Sequence, residues 1–523
     1  MPIKRYIAIK NNTITNAFRQ DLQFRGTGSN MGRSDSVELF SLFAQAASAS
    51  NEQAKILAQF PVLTSDNTSS IQGDRGDGTI PASGSIDFYL KFFNVVHDQT
   101  TPRDYTVVVS PISQSWEEGS GLDMDEYRDL TYDGTGSNWV NAAARTTWKD
   151  GEGNLVPGGS FLTASWEGNP ATTIYDGYNV KQTFTGITEN LEVKVTGLVE
   201  QWIIGESATN WDSKPGFSNY GVGLFLTSSQ LSGANRSYYT KKFSARGSEY
   251  ALKRPYIEAR WNDTRKDHRN NFYASSSILS QADNKQTLFL YNFVRGKLTD
   301  LQFKDEGHDN TIYVTLWTSA SDGDQLTTTP DQPVTGGRVD VGVYTASFAL
   351  NTTKSVMYDR WYSSSVENGR SSITGLSDTG YMTGTLNLKT HYAGASYFIP
   401  RYVNKIINLQ SDYNKQDKTR LRLFARLKDW NPTIYTKAST EIENYFVEDA
   451  YYKVYRTVDD FEVIGYGTGS LKHTQLSYDA SGSYFDLDMS VFEPGYEYVI
   501  KFNYYVDGSY REQPETFKFR IIE

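Results

Sequence analysis

Leu191-Glu192-Val193-Lys194-Val195 alternates apolar, acidic, apolar, basic, apolar, and the reading of this stretch decides the fold. Successive side chains of a β-strand point to opposite faces, so the pattern describes a strand with one buried and one wet face. Ile86-Asp87-Phe88-Tyr89-Leu90-Lys91-Phe92-Phe93, Tyr105-Thr106-Val107-Val108-Val109 and Gly223-Leu224-Phe225-Leu226 also read as strands. Further along, Thr311 to Trp317, Gly342 to Phe348, Arg420 to Arg426, Tyr451 to Arg456 and Tyr498 to Tyr505 extend the reading over the whole chain. Pro494-Gly495 and Asp507-Gly508 are turn signals between the last strands.

Two segments break the pattern. The Ala-rich run from Ala44 to Ala54 reads either as a short helix or as a hairpin connection, because a short Ala/Ser stretch is only marginally helical in water. Val195 to Ile203 reads as a helical turn, with Thr196 as the cap and Leu198/Trp202 and Val199/Ile203 spaced i, i+4 on one side.

Composition narrows the classes. The chain has 523 residues, with 61 Asp+Glu against 51 Lys+Arg, a net charge of −10 and no cysteine. At about 150 residues per domain, that length suggests roughly three domains. Without cysteine there is no disulfide scaffold, thiolate zinc site, iron–sulfur cluster or thiol nucleophile. The same absence fits a protein assembled in a reducing cytoplasm. The acidic balance argues against a sequence-independent nucleic-acid binder, so no nucleic-acid partner is expected. No segment approaches the ~20 apolar residues that span a bilayer, and Met1 to Lys10 lacks the apolar core of a secretory signal. No membrane insertion is expected.

Domain edges are read from polarity. The run Asn262-Asp263-Thr264-Arg265-Lys266-Asp267-His268-Arg269-Asn270-Asn271 has little to bury, and reads as a linker or exposed loop after a domain of residues 1–263. A second boundary near Gly394 to Pro400 separates residues 264–395 from 396–523. Turn-separated short strands over each of these two segments suit an Ig-like β-sandwich.

Four motifs of the first domain have a familiar order. Thr13 to Phe18 precedes Gly26-Thr27-Gly28-Ser29-Asn30-Met31-Gly32; Trp116-Glu117-Glu118-Gly119 follows; Ser244, Arg246, Glu249 and Pro255 close the domain. This order resembles the disaggregatase-related (DNRLRE) domain, which implies a jelly-roll sandwich akin to carbohydrate-binding modules. The closing pattern fits with extra residues between its members, and the insert at 123–180 is longer than the family's. The whole chain also resembles virion structural proteins of marine tailed bacteriophages, cyanophages among them. The residues behind this are Met1 to Ile7, Val356 to Tyr362, Lys428 to Tyr435 and Tyr510 to Glu515. The resemblance implies an N-terminal jelly roll followed by two Ig-like domains, and a role in particle assembly.

Sites for chemistry are sparse. The five histidines, His97, His268, His308, His391 and His473, form no metal-binding or zincin spacing and read as structural or surface residues. No nucleophile elbow or Walker loop occurs, and the Gly-rich segment at 26–32 leads into a strand instead of the helix that a phosphate cradle needs. Glu117, Glu118 and the acids of Asp123 to Glu126 lie beside aromatics, but their spacing does not identify a catalytic pair. Neither a catalytic nor a cofactor site is therefore expected. Asp74 to Gly78 and Asp150 to Asn154 gather hard oxygen ligands, leaving a structural calcium open, although solvated turns have the same composition.

Binding candidates remain. Trp139 and Trp211 stand in turn-rich polar contexts suited to exposure, at a glycan or at a protein interface, whereas Trp202 reads as core. Arg420, Arg422 and Arg426 would share one strand face and could meet an acidic partner. The expectation is a non-enzymatic, all-β, multidomain component of a tailed-phage virion, at the tail, baseplate or neck. Such a component would be assembled in the bacterial cytoplasm and act in symmetric copies with other virion proteins. The alternative is a carbohydrate-binding adhesin for host surface glycans.

Overall fold

The computed structural model describes residues 2–19, 22–45, 47, 50–67, 69–97, 104–122, 136–162, 179–205, 216–231, 236–302, 311–321, 323–330, 333–362, 380–389, 400–429, 433–434 and 444–523. The chain is all-β and multidomain, built from mainly antiparallel sheets that close over aromatic cores. It divides into two compact units. The first is Met1–Asn262 with Gly469–His473 and Ser490–Glu493, and the second is Asp263–Thr468, Thr474–Met489 and Pro494–Glu523.

The first unit is a jelly-roll sandwich. Its strands are β1 (Ile3–Ile7), β2 (Lys10–Thr15), β3 (Ser36–Phe43), β4 (Asn51–Gln59), β5 (Ile86–Phe92), β6 (Tyr105–Pro111), the short hairpin β7 (Asn141–Ala143) and β8 (Thr146–Thr147), β9 (Val180–Phe184), β10 (Leu191–Lys194), β11 (Val222–Leu226), β12 (Ser237–Ser244) and β13 (Tyr256–Trp261). A four-stranded sheet runs β1-β13-β5-β10. A seven-stranded sheet runs β12-β3-β4-β11-β6-β9, with β2 also paired to β4. The alternation in β5 turns Ile86, Phe88, Leu90 and Phe92 inward, where they meet Tyr105, Phe184, Trp202 and Phe243. Phe92 packs against Phe60 and Phe243, at centroid distances of 6.4 and 5.6 Å. Each such ring contributes about 1.5–3 kcal/mol by burial.

In the Ala-rich run, Phe43 of β3 pairs with Asn51 of β4, and the run's residues from Asn51 to Ala54 are strand, which favours the hairpin reading over the helical one. Helix α1 spans Ile71–Gly76, capped by the Ser70 hydroxyl, which accepts from Gly73 N. Helix α2 spans Thr196–Ile204, and its N-cap is Val195 without a side-chain cap. Thr196 is not the cap that its sequence context suggests. Its hydroxyl accepts from Phe88 N at 2.9 Å and donates to Asp87 at 3.1 Å, tying the helix to β5.

The second unit begins with a nine-stranded sheet, from Phe272–Tyr273 through Gly380–Lys389, Val356–Tyr362, Thr311–Trp317, Val334–Asp340 and Val343–Leu350 to Gln286–Tyr291. One core draws on both ends of it: Leu288 and Leu290 from one edge, Phe272 and Leu386 from the other, with Trp361 between. The sheet therefore wraps around its own interior. A sandwich of four- and six-stranded sheets follows, from Tyr402–Ile406 to Phe517–Ile522. Its centre is the stack of Tyr452 on Phe485, with centroids 4.5 Å apart, and Phe502 packs edge-on at 5.8 Å.

The polar run after Asn262 is not the exposed loop that its composition suggests. Tyr478 N donates to Arg265 O and Asp267 N to Tyr478 O, both at 3.0 Å, so the run pairs with strand Ser477–Asp479. Arg269 forms a bidentate ion pair with the fully buried Asp359, at 2.7 and 2.8 Å. His268 Nε2 lies 3.0 Å from the Tyr478 hydroxyl. The run is thus a splice whose polar groups bond both to the wrapped sheet, through Asp359, and to the sandwich, through Tyr478. The boundary read near Gly394 to Pro400 falls outside the described residues, Pro400 apart.

Candidate binding surfaces

In the first unit three of the four quoted motifs converge, through Asn30, Glu118 and Arg246. Arg246 donates from Nε and Nη2 to the two carboxylate oxygens of Glu118. Glu118 also accepts from Asn11 N, and the Asn11 side-chain oxygen accepts from Arg246 N. Asn12, fully buried on β2, donates to Ser137 and accepts from Met31 N. Asn30 donates to the carbonyls of Glu118 and Ser137. Every one of these groups has its partner, as burial demands. Gly119 makes the closure possible: its φ is +80°, and a Cβ there would lie 2.3 Å from the Asn30 amide nitrogen.

Trp139 sits beside this clamp, half-buried. Lys55 Nζ lies 5.3 Å from its ring centroid, 5.1 Å from Phe161 and 5.5 Å from Phe225, and donates to Gly158 O at 2.8 Å. Burial in this aromatic cage pushes the Lys55 ammonium down to about 8. Gly158 packs against the six-membered ring of Trp139. The tryptophan is therefore engaged within the chain by a lysine and a glycine, in a setting that its polar sequence context does not signal. Trp211 lies outside the described residues. Trp202 is fully buried in the core.

Arg420 and Arg422 do share a strand face, as their alternation implies, but they do not leave it basic. Arg420 is bidentate to Asp486 at 2.8 and 3.0 Å, and Arg422 to Asp479 at 2.9 Å. Both guanidinium groups lie over Tyr484, at 4.2 and 5.5 Å. Arg426 is half-buried and donates to Leu427 O at 3.2 Å. Asp486, the partner of Arg420, lies on the neighbouring strand Gly482–Asp488, whereas Asp479, the partner of Arg422, comes from the strand before it, Ser477–Asp479.

The remaining acidic candidates are also engaged. Glu117 accepts from Ala144 N at 3.2 Å. Asp74 is bonded by the Tyr6 hydroxyl and by Lys4 Nζ, both at 2.6 Å. Asp150 accepts from Glu152 N and Asn154 N, closing its own turn. Asp123 to Glu126 lie outside the described residues. Among the described residues no group of three or more His, Asp or Glu is placed to hold a metal ion.

A surface that the sequence reading did not single out lies on the last sandwich. Strand Ala450–Arg456 turns Tyr452 and Val454 into the core, and Tyr451, Lys453 and Tyr455 to the other face. Its neighbour Glu497–Val506 adds Lys501, Asn503 and Tyr505, and Ser509–Glu512 adds Tyr510 and Glu512. Tyr505 and Tyr510 are 42 % and 46 % exposed, with ring centroids 4.9 Å apart. Tyr451 packs edge-on to Tyr510 at 5.9 Å. Glu512 is held by Lys453 at 2.8 Å, Lys501 at 2.9 Å and the Tyr466 hydroxyl at 3.1 Å. Burial opposes its ionisation, but the two lysines and Tyr466 prevail and hold the carboxyl down to about 2.

No family model matches the chain, and no curated protein matches it. Among solved structures it is similar to a chimeric titin Z1Z2 functionalized with a KLER exogenous peptide from decorin. That likeness has 11 % identity over 46 % of this chain and 89 % of the other, at a TM-score of 0.15. It is also similar to the Yersinia pseudotuberculosis adhesin InvE, at 12 % identity over 40 % of this chain and 48 % of the adhesin, again with a TM-score of 0.15. At that score neither likeness carries an argument about function.

Proposed function

We propose that this chain is a non-enzymatic structural component of a tailed-phage virion, at the tail, baseplate or neck, working by assembly with other virion proteins and with copies of itself. The observation that supports the reading is where the polar side chains go. Glu118, Asp359, Asp479 and Asp486 are each bound two-handed by an arginine of the same chain. Such pairs fix geometry: the planar guanidinium fork matches a carboxylate bidentately and orders both partners. A protein that invests its charged groups in holding sandwich modules rigid suits a scaffold that presents surfaces. Folding without disulfides in a host cytoplasm, followed by service outside it, places the same demand on sheets and interfaces.

The test is direct. Particles purified from the cells that produce the chain should contain it by mass spectrometry, and antibodies against residues 402–523 should label one fixed place on them. Its absence from every particle fraction sinks the reading. Adhesion to surface glycans is the second reading, favoured by the exposed tyrosines of the last sandwich.

A further inference from the structure

We infer that the outer sheet face of the last sandwich, centred on Tyr505 and Tyr510, is a binding site for a neutral polysaccharide. The inference rests on the second reading above, glycan adhesion, and names its site and ligand class; it does not depend on the particle assignment. Tyr505 and Tyr510 stand directly opposite each other on paired strands, so both rings leave the same face. Their exposure leaves ring surface open to the C–H face of a pyranose. Around them the face supplies hydroxyl-binding groups: the Glu512 carboxylate and the Lys453 and Lys501 ammonium groups. A sugar is amphipathic in this way, with an apolar face and a rim of hydroxyls.

Two features choose a sugar over a protein. Protein interfaces enrich tyrosine but deplete lysine and glutamate at their centre, and here Lys453, Lys501 and Glu512 are interleaved with the tyrosines. The group is also preorganised: the two lysines and the Tyr466 hydroxyl converge on Glu512, and Lys453 lies 4.8 Å from the Tyr466 ring. Binding that orders nothing new costs less. The preference for a neutral chain follows from the charges. Each lysine here has a carboxylate partner: Glu512 is shared by Lys453 and Lys501, and Glu497 answers Lys518 at 2.8 Å, so these groups carry only one net positive charge, too weak a field to select a polyanion.

The full chain, run in native affinity gels containing hydroxyethylcellulose, xylan or mannan, should be retarded by at least one of them, and less by alginate. Tyr505→Ala and Tyr510→Ala should each weaken that retardation about tenfold or more, the loss of one stacked ring. Tyr510→Phe should keep most of it, and Tyr250→Ala, at an exposed ring of the first unit, all of it. Matching circular dichroism and melting temperature will show that the variants are folded. No retardation by any of the three neutral polymers overturns the inference, as does retardation unchanged in both alanine variants. Self-association that Tyr510→Ala dissolves, with no polysaccharide retardation, would assign the face to a second copy and overturn it as well.

Discussion

Glu258 shows what a single buried charge does in this protein. It lies on β13, 3 % exposed, and accepts from Arg5 and Arg260, both at 2.7 Å. Burial alone would push its carboxyl up, but Arg5, Lys91 and Arg260 together hold it well below the usual carboxylate range. A depressed folded pKa contributes stability that is complete above the unfolded value, near 4.5, and is lost as pH falls below it. Glu258→Gln should therefore cost about 3–5 kcal/mol at pH 7, by urea denaturation, and should flatten the acid limb of the stability profile. Lys55 is shifted in the same direction, so stability again rises with pH, but here the shift is a cost at neutral pH because burial penalises the charged form. Its ammonium, lowered to about 8 by burial, makes the native state gain stability as pH rises from about 8 towards 10.5. Lys55→Met should remove that rise and raise the melting temperature at pH 7, since an apolar side chain fits the cage without the cost of burying charge. Gly119→Ala should cost about 1–3 kcal/mol, through its positive φ and its contact with Asn30.

At the scale of elements, the sequence was most legible where one face is buried and one is wet. The alternation in Leu191-Glu192-Val193-Lys194 and in β5 specifies both strand and facing, because a one-residue slip would expose the whole apolar set. It was least legible in the splice at 265–271, where polar composition reads as solvent exposure. There the chain buries charge only because Asp359 and Arg269 meet, and those residues are far apart in sequence. Arg269→Ala should thus destabilise the second unit by about 3–5 kcal/mol by leaving Asp359 buried and unpaired. A double-mutant cycle with Asp359→Asn should return a coupling well above that of an exposed pair. Arg420 and Arg422 teach the same lesson from the other side. Their shared face followed from alternation, but their neutralisation depended on which strand lay beside them.

At the scale of the whole molecule, each sandwich is built on aromatic residues sealed between sheets. Native-state hydrogen exchange should find the slowest amides at Ile56, Val107 and Leu224 of the first unit, at Val314 of the wrapped sheet, and at Ile500 and Phe502 of the last sandwich, with the exposed Phe293–Leu298 hairpin among the fastest. If those core amides exchange as fast as the hairpin, the sealed-core description fails.

By itself the sequence determined the all-β, multidomain character, the facing of the strands and the burial of Trp202, because these follow from side-chain periodicity and apolar content along the chain. The clamp that joins Asn11, Asn30, Glu118 and Arg246, the cage around Lys55, the pairing that spends the strand arginines, and the tyrosine face were decided by tertiary structure alone. Each depends on groups that chain order separates and only strand pairing and sheet packing bring together. The physical reason is range: local alternation sets which way a side chain points, whereas what it meets there is set by the partner strand.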